Sequence, residues 1–212
     1  PDFFTRRTSV RVAGDGDANA IDVPDDAEVG VFERWLFVSP RTDYAAFPSG
    51  SLLVADLAGF LAGDAELRAL FTPSDTASLA GYSCTRNRVV LDVLDDVRST
   101  LLAATPPADT SGEWTVEPFA GAPGDWTRSV SAVDAAESDD VWLVGTDFVT
   151  PETLYRCSLT DTAEPAVLRS APARFDAGDI ASEQHFATSD DGTRVPYFVG
   201  GSAEALATTD GS

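Results

Sequence analysis

The residues whose types could do chemistry are one serine in a glycine-led run, one histidine and several paired aspartates. Gly81-Tyr82-Ser83-Cys84-Thr85 has the first half of a nucleophile elbow. An elbow needs glycine two residues either side of the serine so that the strained turn can form, and here Thr85 stands at the second position. Ser83 also falls in an apolar, strand-like run, which predicts a structural serine. His185 is the sole imidazole and alternates with Gln184 and Phe186. With no elbow to serve, it reads as a strand histidine packed at a domain seam rather than as a general base.

The acids give no better site. Asp95-Asp96, Asp139-Asp140 and Asp190-Asp191 are adjacent pairs at predicted turns, where solvated carboxylates are expected. Asp15-Gly16-Asp17 begins like a calcium loop, but the closing twelfth position falls on Asp26 and the sixth is not glycine, so the loop fails. Glycoside hydrolysis would need two carboxylates facing each other across a cleft. The chain contains no lysine, which excludes a phosphate-loop lysine and a Schiff base. Cys84 and Cys157 lack metal-ligand spacing and read as buried thiols in different strands. No catalytic, cofactor-binding or metal-ligating residue is therefore assigned, and no cofactor is expected.

Charge narrows the partners. Acidic residues outnumber basic ones 35 to 14, for a formal charge of −21, so nucleic acid and anionic membrane surfaces are excluded as partners. No run approaches the ~18 apolar residues of a membrane span, and no signal-peptide pattern is present. A cytoplasmic location is expected. Two causes fit the all-arginine basic set: a GC-rich genome, or adaptation to high salt, where an acidic surface keeps a protein dissolved.

The elements that would position these residues repeat. Trp35-Leu36-Phe37-Val38, Val89-Val90-Leu91-Asp92-Val93 and Val141-Trp142-Leu143-Val144 are β-prone runs recurring about every fifty residues, a propeller-like period. Ser51–Val54, Thr100–Ala103 and Thr153–Arg156 follow in the same phase, then Leu70-Phe71, Trp114–Val116 and Ala166–Leu168. Each repeat reads as a four-stranded antiparallel unit. Asp75–Ser78, Gly121–Gly124 and Ala171–Ala173 read as the links between units. Leu57, Phe60, Leu61, Leu67 and Leu70 fall near helical spacing and predict a helical insertion over Asp56–Leu70. Phe3–Val23 supplies two more strands around Gly14-Asp15-Gly16-Asp17, and Glu183–Ser189 with Arg194–Val199 predicts a hairpin turning at Asp190-Asp191-Gly192-Thr193. The fold class is all-β: about three full four-stranded antiparallel propeller blades plus partial ones, in an incomplete ring.

The last stretch, Asp179–Val199 (DIASEQHFATSDDGTRVPYFV), resembles the segment of prolyl oligopeptidase family serine peptidases where the chain leaves a β-propeller and enters the α/β-hydrolase domain. Asp22–Ala27, Arg34-Trp35-Leu36, Tyr82-Ser83 with Thr85-Arg86-Asn87, Val93–Val97 and Thr146–Tyr155 are similar to that family's propeller blades. The resemblance implies blades over 1–178, about half of a seven-bladed ring. It implies an exit hairpin and tail over 179–212, opening a hydrolase domain absent from this chain. The catalytic serine, aspartate and histidine of the family match no position here.

The expected function is the substrate-gating propeller portion of an enzyme that cleaves short peptides after proline. As an enzyme it would be part of a serine-type endopeptidase lacking its triad. The expected partners are a peptide substrate through the parent enzyme and a hydrolase domain in cis. The alternative is a stand-alone propeller-like interaction module. An opened ring would also leave apolar blade faces exposed, which predicts a homodimer strengthened by salt.

Overall fold

The computed structural model describes residues 7–11, 16–119, 121, 127–161 and 165–209. The strands are β1 (Ser9–Val10), β2 (Asn19–Ala20), β3 (Glu28–Phe32), β4 (Trp35–Ser39), β5 (Leu52–Asp56), β6 (Arg68–Phe71), β7 (Ala77–Cys84), β8 (Val89–Asp95), β9 (Arg98–Thr105), β10 (Thr115–Pro118), β11 (Thr127–Ala132), β12 (Asp140–Thr146), β13 (Thr153–Ser158), β14 (Ala166–Ser170), β15 (Ile180–Thr188) and β16 (Arg194–Ser202). Two helices accompany them, α1 (Leu57–Ala62) and α2 (Ala203–Thr209). Strands β3 to β6, β7 to β10 and β11 to β14 form three four-stranded sheets, each in chain order. Strands β1 with β2, and β15 with β16, form two-stranded sheets.

This is the repeat that the sequence predicts. The three apolar runs are the second strands, the next three the third strands, and the last three the fourth strands of successive blades. A meander of this kind needs only short connections, which is why about fifty residues suffice per sheet.

Two compact units divide the chain, 1–81 with 104–117 and 82–103 with 118–212. In the first, β4 is buried along Trp35-Leu36-Phe37-Val38, on both faces. Leu36 and Val38 join Leu53, Ile21, Ala27 and Leu57 in one cluster, with Val10 and Phe60 packed against it. Trp35 and Phe37 meet Trp114 edge to face, at centroid distances of 5.0 and 6.2 Å. A strand covered on both faces reads as a continuous apolar run rather than an alternation. In the second unit, Val90 and Leu101 pack with Val141, Leu143, Tyr155, Cys157 and Leu159. That cluster joins one face of the β8–β9 pair to one face of β12–β13.

Several expectations are corrected. The helical insertion is only six residues: the Asp56 carboxylate caps it by accepting from the Gly59 N–H at 2.9 Å, and Gly63 ends it at φ 77°. Leu67 lies in the following loop and Leu70 is a buried residue of β6. The exit hairpin is longer than expected on both sides and turns through five residues, 189–193, in which Gly192 alone takes positive φ (86°). The link before β7 lies earlier than Asp75–Ser78, over residues 72–76, because Ala77 is already strand. Of the first strand pair, β1 and β2 are seen, whereas Phe3, Gly14 and Asp15 lie outside the described residues, as does most of Gly121–Gly124. Among the described residues no helix is long and apolar enough to cross a membrane.

One turn is costly. Between β8 and β9, Asp96 and Val97 both have positive φ, 46° and 63°. That geometry suits the twist of a two-residue hairpin, but Val97 is β-branched and 58% exposed, so no burial offsets its strain. Replacing Val97 with glycine removes the strain at some entropic cost, and the net stabilisation is expected to be about 0.5–1 kcal/mol. A rise in urea midpoint at unchanged m-value is the expected reading; a fall would show that the valine side chain stabilises the turn.

Candidate functional site

Ser83 lies in β7 and its Oγ accepts a hydrogen bond from the Ala132 N–H at 3.0 Å. The serine ties β7 to the end of β11. His185 sits in β15, half-exposed, 3.4 Å from Glu183 through Nε2 and stacked on Tyr197 with ring centroids 5.6 Å apart. Serine and histidine thus serve different partners, and no hydrogen bond joins them into a nucleophile and base.

The carboxylate pairs separate by role. Asp139 is buried at the threshold of β12. Its Oδ1 accepts from the Thr85 hydroxyl and the Asn87 backbone N–H, both at 2.7 Å, and its Oδ2 accepts from Asn87 Nδ2 at 2.8 Å. Burial alone pushes its pKa up, but the three donors outweigh it and hold the carboxyl below its ordinary value. Asp140, the next residue, points to the other face of the strand and pairs with Arg156 at 2.5 Å. Asp191 sits at the exit-hairpin turn, where the Ser189 hydroxyl, and then Thr193, lower its pKa to about 2. Asp96 lies in the strained turn, while Asp95 and Asp190 are exposed. Among the described residues, no group of three or more His, Cys, Asp or Glu side chains is placed to hold a metal ion. The start of the calcium-like loop, Asp15, lies outside the described residues.

The first unit contains a cleft of about 550 Å³ between the α1 loop and residues 110–114, with Trp35 and Trp114 in its wall. Asp64 and Glu66 also line it, and other charged groups at or beside it have partners. Asp56 caps α1 and pairs with Arg34 at 3.0 Å, Arg34 covers the Trp35 ring, and Arg68 donates to the Gly112 carbonyl at 3.0 Å.

The second unit offers an apolar surface. A hollow of about 260 Å³ lies between residues 146–152 and 171–175. Asp147 builds its rim: its carboxylate accepts from the N–H groups of Val149, at 2.8 Å, and Thr150, an aspartate-led turn that leaves Phe148 64% exposed. The Phe148 ring meets Phe198 of β16 at 5.3 Å, and Phe175, Val195 and Tyr197 are exposed as well. The aromatic contact was not legible from strand alternation, because Phe148 lies in a loop. The visible signal was the Thr146–Tyr155 stretch itself.

With blades and exit hairpin described, the class is that of a β-propeller portion. The chain is 36% identical over 155 residues to an uncharacterised peptidase of Sinorhizobium fredii, covering 72% of this chain and 20% of that protein. It is 27% identical over 188 residues to an uncharacterised peptidase of Rickettsia prowazekii, covering 84% and 25%. It therefore spans a fifth to a quarter of these curated relatives. Among solved structures it superposes on a post-proline cleaving enzyme from Rickettsia typhi with a TM-score of 0.73 and 25% identity, over 95% of this chain and 30% of that one. Prolyl oligopeptidase B from Galerina marginata shares the fold, with a TM-score of 0.62 at 18% identity over 88% and 26% of the chains. No protein-family model matches. The chain is a relative of the prolyl oligopeptidase family serine peptidases, corresponding to their propeller portion.

Two outcomes follow from the local chemistry. Both cysteines are thiols; Cys84 is half-buried, whereas Cys157 is buried and desolvation lifts its pKa from 9.0 to about 11. Native alkylation near pH 8 is expected to modify half-buried Cys84 well before Cys157, whose burial both shields the sulfur and suppresses its thiolate; a faster Cys157 would contradict the buried position.

Asp139 sets an acid limit. A carboxyl whose folded pKa is depressed stabilises the fold above its unfolded value, near 3.8, and loses that contribution as pH falls toward the folded value. Asp139→Ala is expected to cost about 3 kcal/mol at pH 7, since buried hydrogen bonds to a charged group are lost and their donors stranded. Asp139→Asn is expected to flatten the urea midpoint between pH 4 and 2 relative to wild type; identical acid slopes would remove Asp139 from the account.

Proposed function

We propose that this chain is the substrate-gating propeller portion of a prolyl oligopeptidase-like peptidase that cleaves short peptides after proline, with catalysis supplied in cis by a hydrolase domain outside these 212 residues. The observation that carries the reading is the exit hairpin β15–β16, whose strands are exposed along much of their length, with Val195 and Tyr197 exposed on one face and Phe198 on the other, beside Phe148. Exposed apolar side chains on both faces support a docking role for the hairpin. The similarity to a post-proline cleaving enzyme along nearly the whole chain supports reading a hydrolase domain as the partner of that hairpin.

Gating in this reading is steric. Rigid blades over the active site admit short or unfolded peptides and keep bulk water from the chemistry. The peptide substrate meets the parent enzyme, and a cytoplasmic location is part of the same proposal. A second copy of the chain is the other occupant proposed for exposed blade faces, with the −21 charge opposing association most at low ionic strength.

The isolated chain is expected neither to hydrolyse a proline-containing chromogenic peptide nor to react with a fluorophosphonate probe. Stoichiometric labelling of Ser83 or another serine would overturn this. In a parent reading frame, a glycine-flanked serine followed by aspartate and histidine downstream of Ser212 is expected; a frame without them would favour the stand-alone interaction module.

A further inference from the structure

The strained Asp96–Val97 turn is also the place where the exit hairpin is gripped. Both polar ends of Asp96 are used. Its backbone carbonyl accepts from Gln184 Nε2 of β15 at 2.7 Å, and its carboxylate lies 3.6 Å from Arg194 Nη1 of β16. One residue thus holds both strands of the hairpin. Arg194 is fixed for this contact, because its guanidinium carbon lies 3.4 Å from the centroid of the Phe186 ring. The hairpin forms its own two-stranded sheet, and an isolated pair of strands is marginal in water. The Phe148–Phe198 ring contact attaches it as well.

Two consecutive left-handed residues, one of them an exposed valine, are a local cost that the turn itself does not recover. The geometry points to a latch: the strained turn presents Asp96 so that it clamps the exit hairpin to the blades, and loss of the Asp96 contacts frees the hairpin while the blades stay folded. The latch stands on these contacts alone. Its consequence, control of how far the blades and a hydrolase domain open for a peptide, rests on the proposed function.

Hydrogen exchange of the full 212-residue chain, read by mass spectrometry, tests it. The double variant Asp96→Asn/Gln184→Ala is expected to exchange the amides of β15 and β16 about tenfold faster or more, with β12 and β13 unchanged, as local opening requires. Val97→Gly keeps the turn and its carbonyl, so the hairpin is expected to remain as protected as in wild type. Unchanged hairpin exchange in the double variant overturns the latch, as does an equal rise in β12 and β13 or deprotection by Val97→Gly alone. No catalysis enters this readout, so failure of the peptidase reading would leave the result standing.

Discussion

In the second unit the buried carboxylate of Asp139 ties neighbouring sheets together. Asp139 precedes β12, yet its oxygens are occupied by Thr85 and Asn87, which belong to the turn between β7 and β8. Its own carbonyl accepts from the Leu159 N–H after β13, at 3.0 Å. One residue therefore joins the turn of one sheet to the start and end of a hairpin in the next. Neighbouring backbone reinforces it, with the Arg86 N–H on the Ser138 carbonyl at 3.1 Å. Sheets stacked face to face slide easily when only apolar contacts hold them, since burial is non-directional. A buried, fully hydrogen-bonded charge supplies the direction that packing lacks.

The residues whose types could do chemistry are each held by a structural partner. Ser83 is spent on the backbone of Ala132 and Asp140 on Arg156. His185 is spent on Tyr197 and Glu183. Each side chain has a structural partner within its own unit. Exposed apolar groups stand on the exit hairpin and the Asp147 turn.

The blades were legible in the sequence because their second strands are rich in apolar residues: β4 and most of β8 are buried on both faces, and β12 is buried on alternate positions and half-buried between them. The recurrence of Trp35, Val89 and Val141 is the recurrence of one structural unit. First strands were harder to read: β3 and β7 are only partly buried, so their composition is mixed. The α1 boundary was missed because Leu67 and Leu70 are apolar for the sake of a loop and a strand that happen to continue the helical spacing. The contacts of Asp139 and Asp96 could not be read at all. They join positions 52 and 88 residues away, and adjacent aspartates at a turn look alike whether buried or solvated.

The acidity itself gains a physical reading beyond codon usage or salt. Asp56 caps a helix, while Asp109, Asp134, Asp147, Asp176 and Asp191 each accept from a backbone N–H two or three residues on. Aspartate does this because its carboxylate sits one methylene from the backbone, at the reach such a turn requires. A propeller-like meander has a turn after every strand and so a standing demand for short acceptors. Asparagine or serine could meet that demand without charge. The use of aspartate at these turns adds negative charge at the strand ends, where solvent screens it, and leaves the sheet faces free to be apolar.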